Sequence, residues 1–265
     1  MRHLVMVGAC YLDTILSVPR YPEEDAKLRA TNLKVRRGGN GGNSLEVLQQ
    51  FLSTPPDLAL HLVTTLPNRH ASATAKVVSS FGPDSLVDLS HCLYRDDQTE
   101  AASSWIMSSQ ATGTRTIVNH NGLDEMTTDE FVNVADAFHD QDAADMWWHF
   151  EGEGYASAEA CLTGECARTP RASLLCCTWG SLGATAKSLP TKQIFNVTPE
   201  PKVTVQIVDA IGAGDTFVAG VLYGLLCRRG EWTDQRIIRF AVDLATTKIQ
   251  QDGFGGLASK MSPAD

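Results

Sequence analysis

The sequence predicts an α/β fold, and three observations carry that prediction. A continuous apolar run, Leu4 to Val7, ends in Gly8 and reads as a strand buried on both faces. An apolar strand over residues 58–65 is followed by helical spacing over 70–81. Val203 to Val208 alternates β-branched with polar positions and then passes through Gly212-Ala213-Gly214 into a helix carrying Val218, Val221, Leu222, Leu225 and Leu226.

Taken in order, Asp13 follows the first strand, in the position past a carboxyl end where open α/β sheets bind ligands, although a lone Asp there is also an ordinary turn residue. Residues 14–37 alternate polar and apolar around a Pro19-Arg20-Tyr21-Pro22 break, which suits small exposed strands. Arg37 to Ser44 is glycine-rich and leads into a helix with Leu45, Val47, Leu48, Phe51 and Leu52, for which Asn43 or Ser44 is a natural N-cap. Residues 92–120 alternate again, with Gly113 marking a hairpin turn. A helix is expected over 127–139 from Thr127 or Thr128, and a bulky strand over Met146 to Phe150. His149 reads as a satisfied strand histidine, and no spacing arranges the seven histidines for a metal. Leu174 to Thr178 reads as a buried strand, and a final amphipathic helix starts near Thr233-Asp234.

Composition bounds the function. At 265 residues and 43% hydrophobic the chain can bury a large core, as one α/β domain or two small ones. A formal charge of −9 argues against a general nucleic-acid binder. Seven cysteines without a Cys-x-x-Cys pair read as reduced, mostly buried thiols of a cytosolic protein. No signal peptide is expected at Met1 to Gly8, and the most apolar helix, 217–227, is too short to span a bilayer.

The chemistry concentrates at the strand-to-helix junction. Unpaired backbone N–H groups and the positive end of the helix dipole make Gly212-Ala213-Gly214 a seat for an anion. Asp215 follows in the first turn, where helix electrostatics alone would favour a carboxylate. A phosphate-sized nest beside a group able to take a proton from a hydroxyl is nonetheless the pairing that phosphoryl transfer needs.

Asp209-Ala210-Ile211-Gly212-Ala213-Gly214-Asp215 resembles the D-T-x-G-A-G-D signature of the PfkB/ribokinase carbohydrate kinases, departing where Ala210 replaces Thr or Ser. Gly38-Gly39-Asn40-Gly41-Gly42-Asn43 resembles that family's G-G-N-x-x-N, and Thr178-Trp179-Gly180-Ser181-Leu182-Gly183 its T-x-G-x-x-G nucleotide loop. Tyr21 to Asp25, Gly113 to Ile117 and Gly253-Phe254 draw the resemblance toward the ketohexokinase branch.

The resemblance implies one ribokinase-like domain over 1–265, a three-layer αβα core with a small β lid from segments 14–37 and 92–120. It implies ATP-dependent phosphorylation of a ketohexose-like sugar at a primary hydroxyl, with Asp215 as general base and Gly212, Ala213 and Gly214 as anion hole. Asp13, Gly39, Asn40 and Asn43 would contact the sugar, and Thr178, Gly180, Gly183 and Gly253 the nucleotide. Mg²⁺ and a monovalent cation such as K⁺ are implied with ATP, as are a cytoplasmic location and a homodimer through the lid. No nucleic-acid or membrane partner is implied.

The pattern breaks at Glu153-Gly154, where relatives carry a strand, a helix and a strand, on the order of 30 to 50 residues. That piece should hold two core strands and the acidic N-x-x-E motif that helps organise Mg²⁺. The expectation is therefore a core sheet short of strands. The alternative function is a catalytically impaired sugar-binding or dimerisation protein.

Overall fold

Leu4, Val5 and Met6 have no solvent exposure, because the strand that carries them is covered on both faces. The structure, a computed structural model, describes residues 1–150, 173–200 and 205–261. It divides into two units, one from residues 1–42 and 59–151, the other from 43–58 and 152–265.

In chain order the first unit is built from β1 (Arg2–Val7), β2 (Tyr11–Val18), β3 (Asn32–Gly38), the first turn of α1 (Asn40–Leu48), β4 (Leu58–Val63), β5 (Thr65–Pro67), α2 (Ser72–Ser79), β6 (Val87–Asp88), β7 (Leu93–Arg95), β8 (Ser103–Ser109), β9 (Arg115–His120), α3 (Thr128–Asp136) and β10 (Met146–Phe150). Its central sheet runs β10-β1-β4-β6, with β10 parallel to β1 and β6 parallel to β4. On one face Val5, Val7 and Val63 pack with Val134 and Phe138 at the α3 end. On the other, the position of a Gly41 Cβ lies 3.5 Å from Leu62 and 3.7 Å from Met6, so α1 starts against the sheet. Helix, sheet and helix give three layers. Thr127 and Glu130 close a capping box at the start of α3.

The two alternating segments pair into a separate sheet, β3-β2-β8-β9. β2 is antiparallel to β3 and parallel to β8, and Gly113, at φ 67°, turns β8 back into antiparallel β9. Every residue of β9 is exposed, as are Leu33, Val35 and Trp105.

The second unit contains β11 (Leu174–Thr178), β12 (Ala184–Ser188), β13 (Ile194–Val197), α4 (Ala213–Cys227), α5 (Asp234–Lys248) and α6 (Leu257–Lys260). The three strands form an antiparallel sheet in sequence order. Ala184, Ala186 and Val197 of that sheet pack on Phe217 of α4 and on Ile238, Ala241 and Val242 of α5. The helices approach closely because a Cβ at Gly220 would stand 2.7 Å from the Ala241 backbone, and one at Gly224 2.7 Å from Ile237.

Several expectations are corrected. Residues 205–208 form no strand: Ile207 and Val208 are 65% and 56% exposed, and the Val208 N–H bonds the Ile249 carbonyl instead of a ladder partner. Asp13 sits on β2 and not in a loop, since the lid sheet begins two residues earlier. α1 starts at Asn40 rather than after Asn43, because Gly39 takes φ 97° and turns the chain there. β7, inside the segment assigned to the lid, pairs with β5 instead. β11 is not buried and Cys176 is exposed; among the described residues this strand has one ladder neighbour, β12. The Glu153-Gly154 junction lies outside the described residues.

Candidate active site

In the second unit, the chain turns into α4 at Gly212, whose φ of 78° belongs to the left-handed region. A side chain there would also strike Phe254, whose ring comes within 2.3 Å of the Cβ position. Thr216 ties the turn down, its N–H and hydroxyl both donating to the Gly212 carbonyl at 2.9 and 2.8 Å. No atom lies within 4 Å of a Cβ placed on Gly214, so the first turn of α4 faces open space there. Helix geometry leaves its first N–H groups without intrahelical acceptors.

Asp215 stands in this turn, partly buried. Asn43 Nδ2 donates to its Oδ2 at 2.7 Å, and the Ser44 hydroxyl donates to its backbone carbonyl at 3.0 Å. Asn43, expected as a sugar contact, thus meets the general-base candidate. Ser44, read as an N-cap, anchors the same turn.

Asp209 organises the loop before Gly212. Its Oδ1 accepts from the Ile211 N–H at 2.9 Å, while Oδ2 accepts from Lys248 Nζ at 2.8 Å and from the Gly253 N–H at 3.4 Å. Sequence reasoning missed Lys248. The signal was there: Ile237, Ala241, Leu244 and Lys248 share one helical stripe, and a lysine on an apolar stripe needs a buried partner.

The first unit holds the remaining sugar candidates. Asp13 is 6% exposed, and its carboxylate lies 2.4 Å from the Cβ position of Gly38, so any larger residue at 38 would displace it. Burial pushes its carboxyl above the usual range, against the Ser104 hydrogen bond and the Arg36 and Arg37 charges, which pull it down. Gly39 carries φ 97° with the Ala9 carbonyl 2.3 Å from its Cβ position, and Asn40 opens α1 as an exposed residue. Arg37 is buried and its guanidinium lies 4.4 Å from the centre of the Phe81 ring.

Thr178, Gly180 and Gly183 form the turn from β11 to β12, closed by a Trp179 N–H to Gly183 carbonyl bond of 2.8 Å. Gly183 has φ 91° and the Val197 carbonyl 2.0 Å from its Cβ position, so the backbone alone demands glycine there. Gly253 is also left-handed, at φ 70°.

The family model described as pfkB family carbohydrate kinase matches residues 141–260, the span that contains this junction. Over that span the chain is similar to the PfkB carbohydrate kinases. Mouse (Mus musculus) ketohexokinase is 26% identical to this chain over 302 residues, covering 97% of this chain and 99% of the mouse protein. That alignment is 37 positions longer than the 265-residue chain, so the mouse enzyme has at least that many residues without a counterpart here. Among solved structures, ribokinase from Giardia lamblia has a TM-score of 0.72 at 15% identity, covering 97% of this chain and 95% of its own. Phosphofructokinase-2 from Escherichia coli in complex with fructose-6-phosphate has a TM-score of 0.66 at 14% identity, with 98% of both chains covered. The fold is ribokinase-like α/β.

Proposed function

We propose that this chain transfers the γ-phosphoryl group of ATP to a primary hydroxyl of a ketohexose-like sugar. The observation that carries the reading is Asp215, held by Asn43 at 2.7 Å in the first turn of α4, directly after the left-handed Gly212. Asp215 takes the proton from the attacking hydroxyl. The N–H groups at Gly212, Ala213 and Gly214 stabilise charge on the transferring phosphoryl oxygens. Asp13, Gly39, Asn40 and Asn43 orient the sugar. Thr178, Gly180, Gly183 and Gly253 line the nucleotide.

Support for ATP comes from similar folds described with nucleotides, among them Cryptococcus neoformans ribokinase in complex with ADP, TM-score 0.64. Support for a ketohexose comes from the mouse ketohexokinase match. Among the described residues, no group of three His, Cys, Asp or Glu side chains able to share an ion includes Asp215. In this reading Mg²⁺ accompanies the ATP phosphates and neutralises their charge, with K⁺ a further candidate ion. Among the described residues no helix is long and apolar enough to cross a membrane. The reading treats residues 1–265 as one cytoplasmic domain with a β lid that serves a homodimer.

The second reading, an impaired sugar-binding or dimerisation protein, is favoured by the mouse relative's residues, at least 37 of them, that have no counterpart here. ATP turnover with fructose, ribose and nucleosides, run beside calorimetric sugar binding, separates the two. Turnover that Asp215→Asn removes supports the kinase; sugar binding without turnover supports the binder.

A further inference from the structure

Two histidines that no spacing connects, His61 and His91, gather at Asp88 in the first unit, with His3 stacked on His61. The parallel sheet is what brings them together: His61 on β4 is the cross-strand neighbour of Asp88 on β6, and His3 lies on β1, next to β4 in the sheet order. His91 follows β6 in the turn before β7.

The donor geometry is that of a chelate. His61 Nδ1 lies 3.0 Å from Asp88 Oδ2, and one donor atom from each of His61, Asp88 and His91 falls within 4.8 Å of the others. Tetrahedral zinc, with bonds of about 2.0–2.2 Å to nitrogen and oxygen, separates its ligand atoms by roughly 3.3 Å. The His61 to Asp88 pair is nearly at that spacing already, and the His91 donor lies within 4.8 Å of both.

The surroundings orient these donors. His61 is 8% exposed, and its Nε2 lies 3.1 Å from His3 Nδ1. Asp88 accepts from the Ser90 N–H at 2.8 Å and the Ser90 hydroxyl at 2.9 Å. Phe138 closes the cluster edge-on, its ring centre 5.0 Å from that of His61 and 4.7 Å from that of His91. A metal-bound histidine characteristically donates its other ring N–H to an acceptor, which His3 Nδ1 provides for His61.

We propose that His61, Asp88 and His91 bind one divalent transition-metal ion, Zn²⁺ being the best match to two imidazoles and a carboxylate, with His3 as the orienting acceptor. Binding takes the Nδ1 lone pair of a neutral His61: the proton that Nδ1 shares with Asp88 is exchanged through solvent for one on Nε2, so the ring stays neutral and Nε2–H donates to His3 Nδ1, whose own proton then sits on Nε2. The remaining coordination position takes water. None of these residues belongs to the lid sheet or to the Gly38 to Asn40 turn, and the ion's role is to clamp β4, β6 and the turn after β6.

The test is metal binding to the full chain, stripped with EDTA and dialysed against Zn²⁺ or Co²⁺. The expected result is one ion per chain, a visible tetrahedral Co²⁺ spectrum without a sulfur-to-cobalt charge-transfer band, and a higher Tm with metal. His91→Ala should abolish the stoichiometric ion and the Tm gain, while His139→Ala, on an exposed site, should keep both. Asp88→Asn serves as a second variant if His91→Ala folds poorly. A charge-transfer band would move the ion to the cysteines and overturn the proposal. So would an unchanged stoichiometry in His91→Ala and Asp88→Asn, or no bound ion in the parent.

Discussion

Lys248 Nζ donates to both the backbone carbonyl of Asp209, at 2.7 Å, and its carboxylate, at 2.8 Å, from a position with no solvent exposure. A buried ammonium costs several kcal/mol unless it is paired, and the Asp209 carboxylate pairs with this one. The pair does more than satisfy two charges. Asp209 also holds the N–H groups of Ile211 and Gly253, so Lys248 fixes the loop that presents Gly212.

Lys248→Met should therefore lower unfolding stability by about 3–5 kcal/mol, since it takes the cation from a largely covered Asp209 carboxylate. Adding Asp209→Asn should restore much of that stability but not sugar phosphorylation, because the loop loses its anchor. Chemical denaturation and turnover on the single and double variants check this. A single variant with parent-like kcat would remove Lys248 from any positioning role.

Asp215→Asn should reduce phosphoryl transfer by about 10²- to 10⁴-fold with sugar affinity nearly unchanged, since the amide keeps size but cannot take the proton. Asn43→Ala removes the 2.7 Å bond to Asp215 and should lower kcat. If Asn43 acted only on the sugar, KM alone would rise. Steady-state kinetics across pH separate these outcomes.

The pH dependence of sugar binding should reflect Asp13, whose carboxyl burial raises above the ordinary value of about 3.9. The ionised form accepts hydroxyl hydrogen bonds, so affinity should begin to fall at a higher pH than an ordinary carboxylate would give. For stability the sign is opposite. A raised folded-state value means that the fold binds this proton more readily than the unfolded chain, so the penalty of the buried charge, full at neutral pH, disappears as pH drops through the raised value. Asp13→Asn should weaken sugar binding, flatten its pH profile and raise Tm at neutral pH. A pH-independent affinity in the parent would count against the assignment.

Gly183→Ala should destabilise the chain by about 1–3 kcal/mol, because φ is 91° and the Val197 carbonyl occupies the Cβ position. Gly180 also has a positive φ, of 59°, but its Cβ position is open. Alanine there should cost about 1 kcal/mol or less of stability. If Gly180→Ala nevertheless weakens ATP binding, the turn contacts nucleotide; if ATP affinity is unchanged, its glycines serve the backbone alone.

Inserting a homologous strand–helix–strand segment between Glu153 and Gly154 should raise Tm and turnover together. β10 is only half-buried, with Phe150 58% exposed, and β11 has one ladder neighbour among the described residues. Melts and activities of the chain with and without the segment decide the matter. A sharp melt and full turnover in the short form would show that nothing essential is missing.

The alternating segments around Ile15 and Ile106, the capping box at Thr127 and Glu130, and the turn at Gly212 were legible in the sequence, because each is written within one element and its ends. Periodicity declares which face is apolar, and a turn declares its glycine, without reference to distant chain. It also overreached: the alternation at 203–208 reads as a strand, yet in the described residues 205–208 no ladder partner meets it. Only the tertiary structure decided that Asn43 reaches Asp215 across 172 residues, that Lys248 is a buried partner of Asp209, and that His3, His61, Asp88 and His91 converge. Those relations depend on which strands and helices become neighbours, and a lysine or histidine looks the same in sequence whether solvent or a carboxylate receives it.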